Sequence, residues 1–320
     1  MTPMQIWGIA SGSDRKLFKH LLATVIAVGV AFTAVLLVEW VVLTTDPGLR
    51  HFGADVGKAG PNKGGGSLVI CGGGRLPDEV RDRFVELAGG RKAKIVVIPT
   101  AHAAADGPDA LHYLDIWKHC GVASVELLHT RSRDKANDAT FIEPLIDATG
   151  VWLGGGKQTW LADVYAGTEV ERQLKSLLVR GGVIGGSSAG AAAMTRVMIA
   201  GGRAEVKEGQ GFDLLPGSIV DQHFMKRNRV SRLLEVLTRH PGLVGFGIDE
   251  QTALVVRGKR LTVIGNSYVM ACLPSSSGRP PRIEVLKRGD ETDLAALSGP
   301  SVAITSAMGL DEVLSPLSDN

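Results

Sequence analysis

The sequence predicts an α/β fold: a mostly parallel β-sheet with helices on both faces, preceded by an N-terminal hydrophobic helix. Three observations carry this. Short apolar runs at 67–71, 93–99 and 150–153 do not alternate with polar residues, as strands covered on both faces require. Segments with helical periodicity separate them. Several runs end in glycines, and 41 glycines in 320 residues point to tight turns after strands.

The first 20 residues are polar and end on the basic set Arg15, Lys16, Lys19 and His20. Residues 21–38 then carry no charge for 18 positions, and after Glu39 the apolar character continues to Leu43. That length can span a bilayer and exceeds the usual apolar core of a signal peptide. No clear small-x-small cleavage site follows. The basic cluster precedes the segment, so the positive-inside rule places the N-terminus in the cytoplasm and the remainder outside. Residues 1–45 are read as an uncleaved anchor, with a cleaved signal sequence as the alternative, and 46–65, rich in Gly, Asp, Lys and Pro, as a linker. The membrane is thus an expected partner through residues 21–43, and the domain at 66–320 is expected to be extracytoplasmic, periplasmic or extracellular.

Within that domain the predicted order is strand 67–71, helix 76–87, strand 93–99, helix 109–119, strand 124–129, helix 141–148, strand 150–153, a long helical stretch 159–180, and strand 183–184. A Gly-rich excursion occupies 198–216. Strand 218–220 leads to Asp221-Gln222-His223-Phe224, and Val230, Leu233, Leu234 and Leu237 mark a helix at i, i+3, i+4 and i+7. Strand 245–248 ends in Asp249-Glu250. Runs 252–256 and 260–264 flank Gly258-Lys259 as a hairpin, and 268–273 extends that antiparallel part. The tail carries one further strand at 282–286. There is no internal repeat.

Composition excludes several roles. A net charge of +2 argues against dedicated nucleic-acid binding. The three cysteines, Cys71, Cys120 and Cys272, are too few and scattered for a disulfide framework or a zinc site, and Cys71 reads as core. Neither a metal nor a cofactor is called for. The oligomeric state is open, with a homodimer among the options.

The chemistry centres on Gly186-Ser187-Ser188-Ala189-Gly190, a G-x-S-x-G turn between a buried strand and an Ala-rich segment. Such an elbow lifts the Ser188 hydroxyl above the sheet edge and aims the Ala189 N–H where an oxyanion would form. A serine hydroxyl needs a base within reach. Of eight histidines, His20 and His51 precede the domain, and His102, His112, His119, His129 and His240 have no partner visible in the sequence. His223 follows a strand between polar Gln222 and aromatic Phe224. The base needs an acid, for which Glu250 and its neighbour Asp249 are the candidates. The order Ser, His, Glu is not that of α/β-hydrolases, whose acid precedes the histidine.

Together Gly154-Gly155-Gly156-Lys157-Gln158, the elbow, Asp221-Gln222-His223-Phe224 with Arg227, Arg229 and Arg232, and Gly247-Ile248-Asp249-Glu250-x-Thr252-Ala253 resemble the cyanophycinase family. These are serine peptidases on a fold similar to class I glutamine amidotransferases, a flavodoxin-like arrangement. The likeness covers about residues 66–275. It implies Ser188 as nucleophile, His223 as base and Glu250 as its partner. It implies an oxyanion hole of Ala189 with Gly155 or Gly156, and a substrate pocket lined by Gln158, Asp221, Gln222, Arg227, Arg229 and Arg232. Arg229 and Arg232, at i and i+3 opposite the apolar stripe, suit bidentate capture of carboxylates. The implied substrate is a peptide or polymer with β-aspartyl linkages, in the first instance β-aspartyl-arginine. Where the family carries Asp or Asn this chain has Lys157, a departure that bears on substrate choice. The related aspartyl dipeptidases are the nearest alternative, and an inactive membrane-anchored binding protein is a further one. A glutamine amidotransferase would need a cysteine where Ser188 stands.

Overall fold

The structure, a computed structural model, describes residues 65–202, 205–273, 281–294 and residue 297. The predicted anchor and, apart from Gly65, the predicted linker lie outside these residues. Among the described residues no helix is long and apolar enough to cross a membrane.

The chain forms strands β1 (Ser67–Cys71), β2 (Lys94–Ile98), β3 (Ser124–Leu127), β4 (Gly150–Leu153), β5 (Val183–Ser187), β6 (Val197–Gly201), β7 (Lys207–Gln210), β8 (Ser218–Gln222), β9 (Val244–Ile248), β10 (Thr252–Arg257), β11 (Arg260–Gly265), β12 (Val269–Leu273), β13 (Arg282–Leu286) and β14 (Glu291–Asp293). Between them run helices α1 (Asp78–Leu87), α2 (Asp115–Lys118), α3 (Ala139–Ile146), α4 (Gln158–Tyr165), α5 (Glu169–Val179), α6 (Ala189–Ala192) and α7 (Val230–Arg239).

The large sheet has eight strands in the order β14-β11-β10-β1-β5-β4-β2-β3. Strands β1 to β5 are mutually parallel where they pair, and β10, β11 and β14 continue the sheet antiparallel. Side chains alternate across it. Val69, Cys71, Ile95, Val97, Trp152 and Val183 pack with Phe84 and Trp117 on one face. Leu68, Ile70, Val96, Ile98, Val151 and Ile184 pack with Leu161 and Leu174 on the other. Both faces are therefore dry, which is why these strands read as unbroken apolar runs.

The flavodoxin-like expectation needs a correction. The parallel strands succeed one another as β3-β2-β4-β5-β1. Four of them keep the flavodoxin succession, but the place at its end belongs to the first strand of the domain rather than the last. Every residue of β1 is buried, so it needs a neighbour on each edge, and it lies between β5 and β10.

Other segments also differ from expectation. The predicted helix 109–119 is mostly 3-10 turn, with Pro108 at its start, and only α2 is α-helical. The stretch 159–180 breaks into α4 and α5. Gly167 takes φ +74° there, and Arg133 donates to the carbonyls of Asp163 (2.8 Å) and Ala166 (2.7 Å), capping the end of α4. The Gly-rich excursion contains the hairpin β6–β7. Residues 269–273 do not extend the β10–β11 hairpin. They lie in a second sheet of order β13-β12-β9-β8, in which β8 and β9 are parallel. Helix α7 covers that sheet through Leu233, Val236 and Leu237.

Candidate active site

The site lies where the carboxyl ends of the two parallel sets meet. Strand β5 delivers Ser188, β8 delivers His223 and β9 delivers Glu250. Because β8 and β9 are in register, with Gln222 beside Ile248, the residues that follow them fall close together.

Ser188 holds a backbone conformation rare for a side chain, φ 53° and ψ −110°. The elbow closes tightly around it. A Cβ at Gly186 would lie 2.8 Å from the Gly190 carbonyl carbon, and one at Gly190 would lie 2.2 Å from the Leu153 oxygen. The Ser188 N–H donates to the Cys71 carbonyl (3.0 Å), fastening the elbow to β1.

Ser188 Oγ is 2.8 Å from His223 Nε2, and His223 Nδ1 is 2.6 Å from Glu250 Oε1. A hydroxyl, an imidazole and a carboxylate so joined can pass a proton from oxygen to ring while the acid fixes the tautomer. His223 itself has φ +50°, and its N–H donates to the Gly72 carbonyl (2.7 Å). Burial lowers the His223 pKa below the ordinary histidine value, the Glu250 hydrogen bond opposes this, and the Arg227 charge reinforces it. The imidazole is therefore held neutral and available as a base. Asp249, the other candidate acid, is engaged elsewhere: Oδ1 accepts the N–H groups of Met225 (3.1 Å) and Lys226 (3.0 Å), and Oδ2 the Ser267 hydroxyl (2.8 Å).

The glycine turn after β4 stands against the elbow. A Cβ at Gly155 would lie 3.6 Å from Ser188 Cβ. Gly156 has φ +136°, and a Cβ there would meet the Ala101 oxygen at 2.1 Å, so no side chain fits. Ala189, the first residue of α6, is fully buried behind Ser188.

A cleft of about 990 Å³ opens beside Ser188, lined among others by Gly156, Gln158, Gln222, Lys226, Arg227 and Arg229. None of the described residues that line it is a carboxylate. Arg227 and Lys226 are exposed, whereas Arg229 is half-buried, and burial lowers its pKa to about 10 against the pull of Asp221. Arg229 Nη1 donates to the Gln222 carbonyl (2.6 Å) and to Gln222 Oε1 (2.8 Å). Gln158 is buried and spends its amide N–H on the Ile199 carbonyl (2.7 Å), tying α4 to the β6 wall of the cleft.

Of two expected pocket residues, Asp221 lies beneath the cleft, whereas Arg232 reaches its lining with its fork already engaged. Asp221 is 1% exposed and lies beneath the cleft rather than on it. Its carboxylate accepts Arg232 Nε (2.8 Å), Arg232 Nη2, Arg229 Nη1 (3.3 Å) and the Gln222 N–H (2.9 Å). Arg232 is not on a solvated helix face: it is 8% exposed, its fork is filled by Asp221, and Nη1 reaches the Gly202 carbonyl (3.2 Å). The apolar stripe of α7 is broad enough to include it, and a buried guanidinium requires a buried counter-ion. Bidentate capture of a substrate by Arg232 is thereby excluded in this arrangement. Sequence reasoning did not single out Gly73, Lys226, Asn228 or Ser231, and only the triple glycine at 72–74 hinted at the first. Among the described residues no three His, Cys, Asp or Glu side chains group as metal ligands.

Comparison with known proteins gives the family of the chain. A model of peptidase family S51 matches residues 68–264. The cyanophycinase of Geminocystis herdmanii (strain PCC 6308) is 36% identical over 217 residues, covering 63% of this chain and 79% of the relative. The cyanophycinase of Trichormus variabilis (strain ATCC 29413 / PCC 7937) is 36% identical over 227 residues, covering 65% and 74%. A crystal structure of a peptidase from an acI-B1 Actinobacterium superposes with a TM-score of 0.58 at 24% identity, covering 72% of this chain and 98% of that one, a likeness of fold.

Proposed function

The chain belongs to peptidase family S51 and is a serine-type peptidase, and from that premise we propose that it hydrolyses β-aspartyl linkages, as in β-aspartyl-arginine units of cyanophycin or related isoaspartyl peptides, through an acyl-enzyme. One observation carries the reading: the continuous Ser188–His223–Glu250 chain opens onto a cleft lined by the cations Lys226, Arg227 and Arg229.

In this mechanism the Ser188 oxygen attacks the β-carbonyl carbon while His223 Nε2 takes its proton. Glu250 holds the ring through Nδ1–H and supports the imidazolium. The Ala189 N–H, with that of Gly155 or Gly156, receives the oxyanion. His223 returns the proton to the departing amine, and water then releases the aspartyl acid by the same steps in reverse order. Arg227, Arg229 and Lys226 hold the free carboxylates of the substrate, a role suited to guanidinium and ammonium groups that face the cleft. The class I glutamine amidotransferase-like reading of the fold belongs to the same proposal, with Ser188 where those enzymes carry cysteine.

The enzyme is further proposed to act outside the cytoplasm, anchored or exported by the uncharged stretch 21–38. Recovery of the full chain in a soluble cytoplasmic fraction would overturn that part alone. The chemistry is tested with cyanophycin and a panel of α- and β-linked aspartyl dipeptides. Ser188→Ala should abolish product and covalent labelling by a fluorophosphonate. Undiminished turnover in that variant would sink the mechanism, and cleavage restricted to α-linked dipeptides would sink the substrate assignment.

A further inference from the structure

A second chain of hydrogen bonds, distinct from the catalytic one, runs behind the glycine turn. Thr100, fully buried at the end of β2, has its hydroxyl 2.7 Å from Tyr165 OH and 2.8 Å from His129 Nδ1. His129 Nε2 is 2.8 Å from Asp106 Oδ1, and Thr130 N–H donates to Tyr165 OH (3.2 Å). One direction leaves no hydroxyl hydrogen unplaced. Tyr165 accepts from Thr130 and donates to Thr100, Thr100 donates to His129 Nδ1, and His129 Nε2–H donates to Asp106. Arg131 locks the same loop from outside: Nε donates to Asp106 (3.0 Å), Nη1 to the Thr100 carbonyl and Nη2 to the His102 carbonyl (2.9 Å).

This triplet resembles a catalytic one in residue types, yet the Thr100 hydroxyl is sealed from solvent and shared with a phenol, so it is no nucleophile. What it holds is the segment 99–102. That segment is the template for the glycine turn. The Ile98 carbonyl accepts the Gly154 N–H (2.9 Å), the Ala101 carbonyl accepts the Lys157 N–H (2.8 Å), and Gly156 packs directly on the Ala101 oxygen. On its other side the turn faces Ser188, where a Cβ added at Gly155 would lie 3.6 Å from Ser188 Cβ. Tyr165 also ends α4, the helix that begins at Gln158 directly after the turn. One hydroxyl pair thus joins the segment beneath the turn to the helix that follows it.

The geometry points to Tyr165 and Thr100 as positioning residues for the reaction at Ser188: their hydroxyl pair sets the depth of the Gly154–Gly156 turn and hence the oxyanion N–H it presents. This rests on the reading of Gly155 or Gly156 as an oxyanion donor. A displaced donor costs rate rather than affinity, because it is used only when charge develops on oxygen.

The test measures the second-order rate of fluorophosphonate labelling of Ser188 in the full chain, whose phosphoryl oxygen occupies the same hole, together with Tm. Tyr165→Phe and Thr100→Val remove one hydroxyl each and keep the packing. Both should label roughly ten- to a hundredfold more slowly than wild type, while Thr100→Ser, which restores the hydroxyl, should stay within about threefold. With a β-aspartyl dipeptide the loss should fall on kcat and leave KM within about twofold. Wild-type labelling rates in Tyr165→Phe and Thr100→Val, with or without a lower Tm, would overturn the proposal, as would a Thr100→Ser variant as slow as Thr100→Val. A wild-type chain that does not label at all would instead sink the Ser188 reading on which the proposal rests.

Discussion

Gly73 lies directly against the His223 imidazole: a Cβ at Gly73 would fall 2.4 Å from Cε1 and 2.6 Å from Nε2. The residue also has φ +116°, a conformation side chains rarely adopt. The ring is thus packed on bare backbone, which holds it edge-on to Ser188 and Glu250. Gly73→Ala should displace the imidazole by about 1 Å and lower kcat/KM by roughly a hundredfold or more. Steady-state kinetics beside a thermal melt checks this, and activity near wild type would show that the ring can yield.

The pH profile follows from the burial of His223. Its folded pKa lies below 6.5, so the neutral, basic form persists as pH falls, and the acid limb of kcat/KM should lie below that value. Arg227 is one of the groups that lower it. Arg227→Gln removes a cation that disfavours imidazolium, so the acid limb should move upward toward the ordinary histidine range. A limb already at or above that range in the wild type, or a downward move in the variant, would contradict the assignment of His223 as the titrating base.

How much of this was legible beforehand depended on range. The parallel sheet could be read because strands buried on both faces leave unbroken apolar runs, and the elbow because its G-x-S-x-G pattern is local, although the clash that demands Gly190 comes from Leu153 on β4. The pairing of His223 with Glu250 rested on family resemblance, since 27 positions separate them and only the β8–β9 register explains their meeting. That β9 and β12 belong to a second sheet was not legible, because strand pairing partners are set by tertiary packing rather than local pattern. The burial of Arg232 is not legible for a related reason: periodicity shows an apolar stripe but not its width, and a charged residue at its margin is buried when a counter-ion lies across it. The Thr100–His129–Asp106 set is not legible because His129 follows β3 while Thr100 and Asp106 follow β2, and only the β2–β3 pairing brings them together.

Asp221 and Arg232 form the most deeply buried ion pair of the site, 1% and 8% exposed. Asparagine keeps one acceptor but removes the charge opposite a buried guanidinium, and its amide N–H2 cannot accept the second Arg232 bond. Asp221→Asn should destabilise the domain by about 3–5 kcal/mol, read as a lower denaturant midpoint at unchanged slope. A midpoint within error of wild type would mean that solvent reaches Arg232, against the observed burial.

Arg229 is the guanidinium best placed to read a substrate carboxylate. Its Nη1 is committed to Gln222 and Asp221, which fixes the plane of the fork, while its other N–H groups make no bond to protein among the described residues. Lysine at this position keeps the charge but not the fork, and its ammonium cannot satisfy the Gln222 acceptors and a ligand in one geometry. Arg229→Lys should therefore raise KM for a β-aspartyl dipeptide by roughly ten- to a hundredfold, the equivalent of one lost charge-assisted hydrogen bond, with a smaller change in kcat. The same substitution should leave fluorophosphonate labelling of Ser188 close to wild type, because that reagent carries no carboxylate to anchor. Equal losses in labelling and in dipeptide turnover would show instead that Arg229 acts through the catalytic residues, and the cleft would then lose its claim to recognise the aspartyl carboxylate.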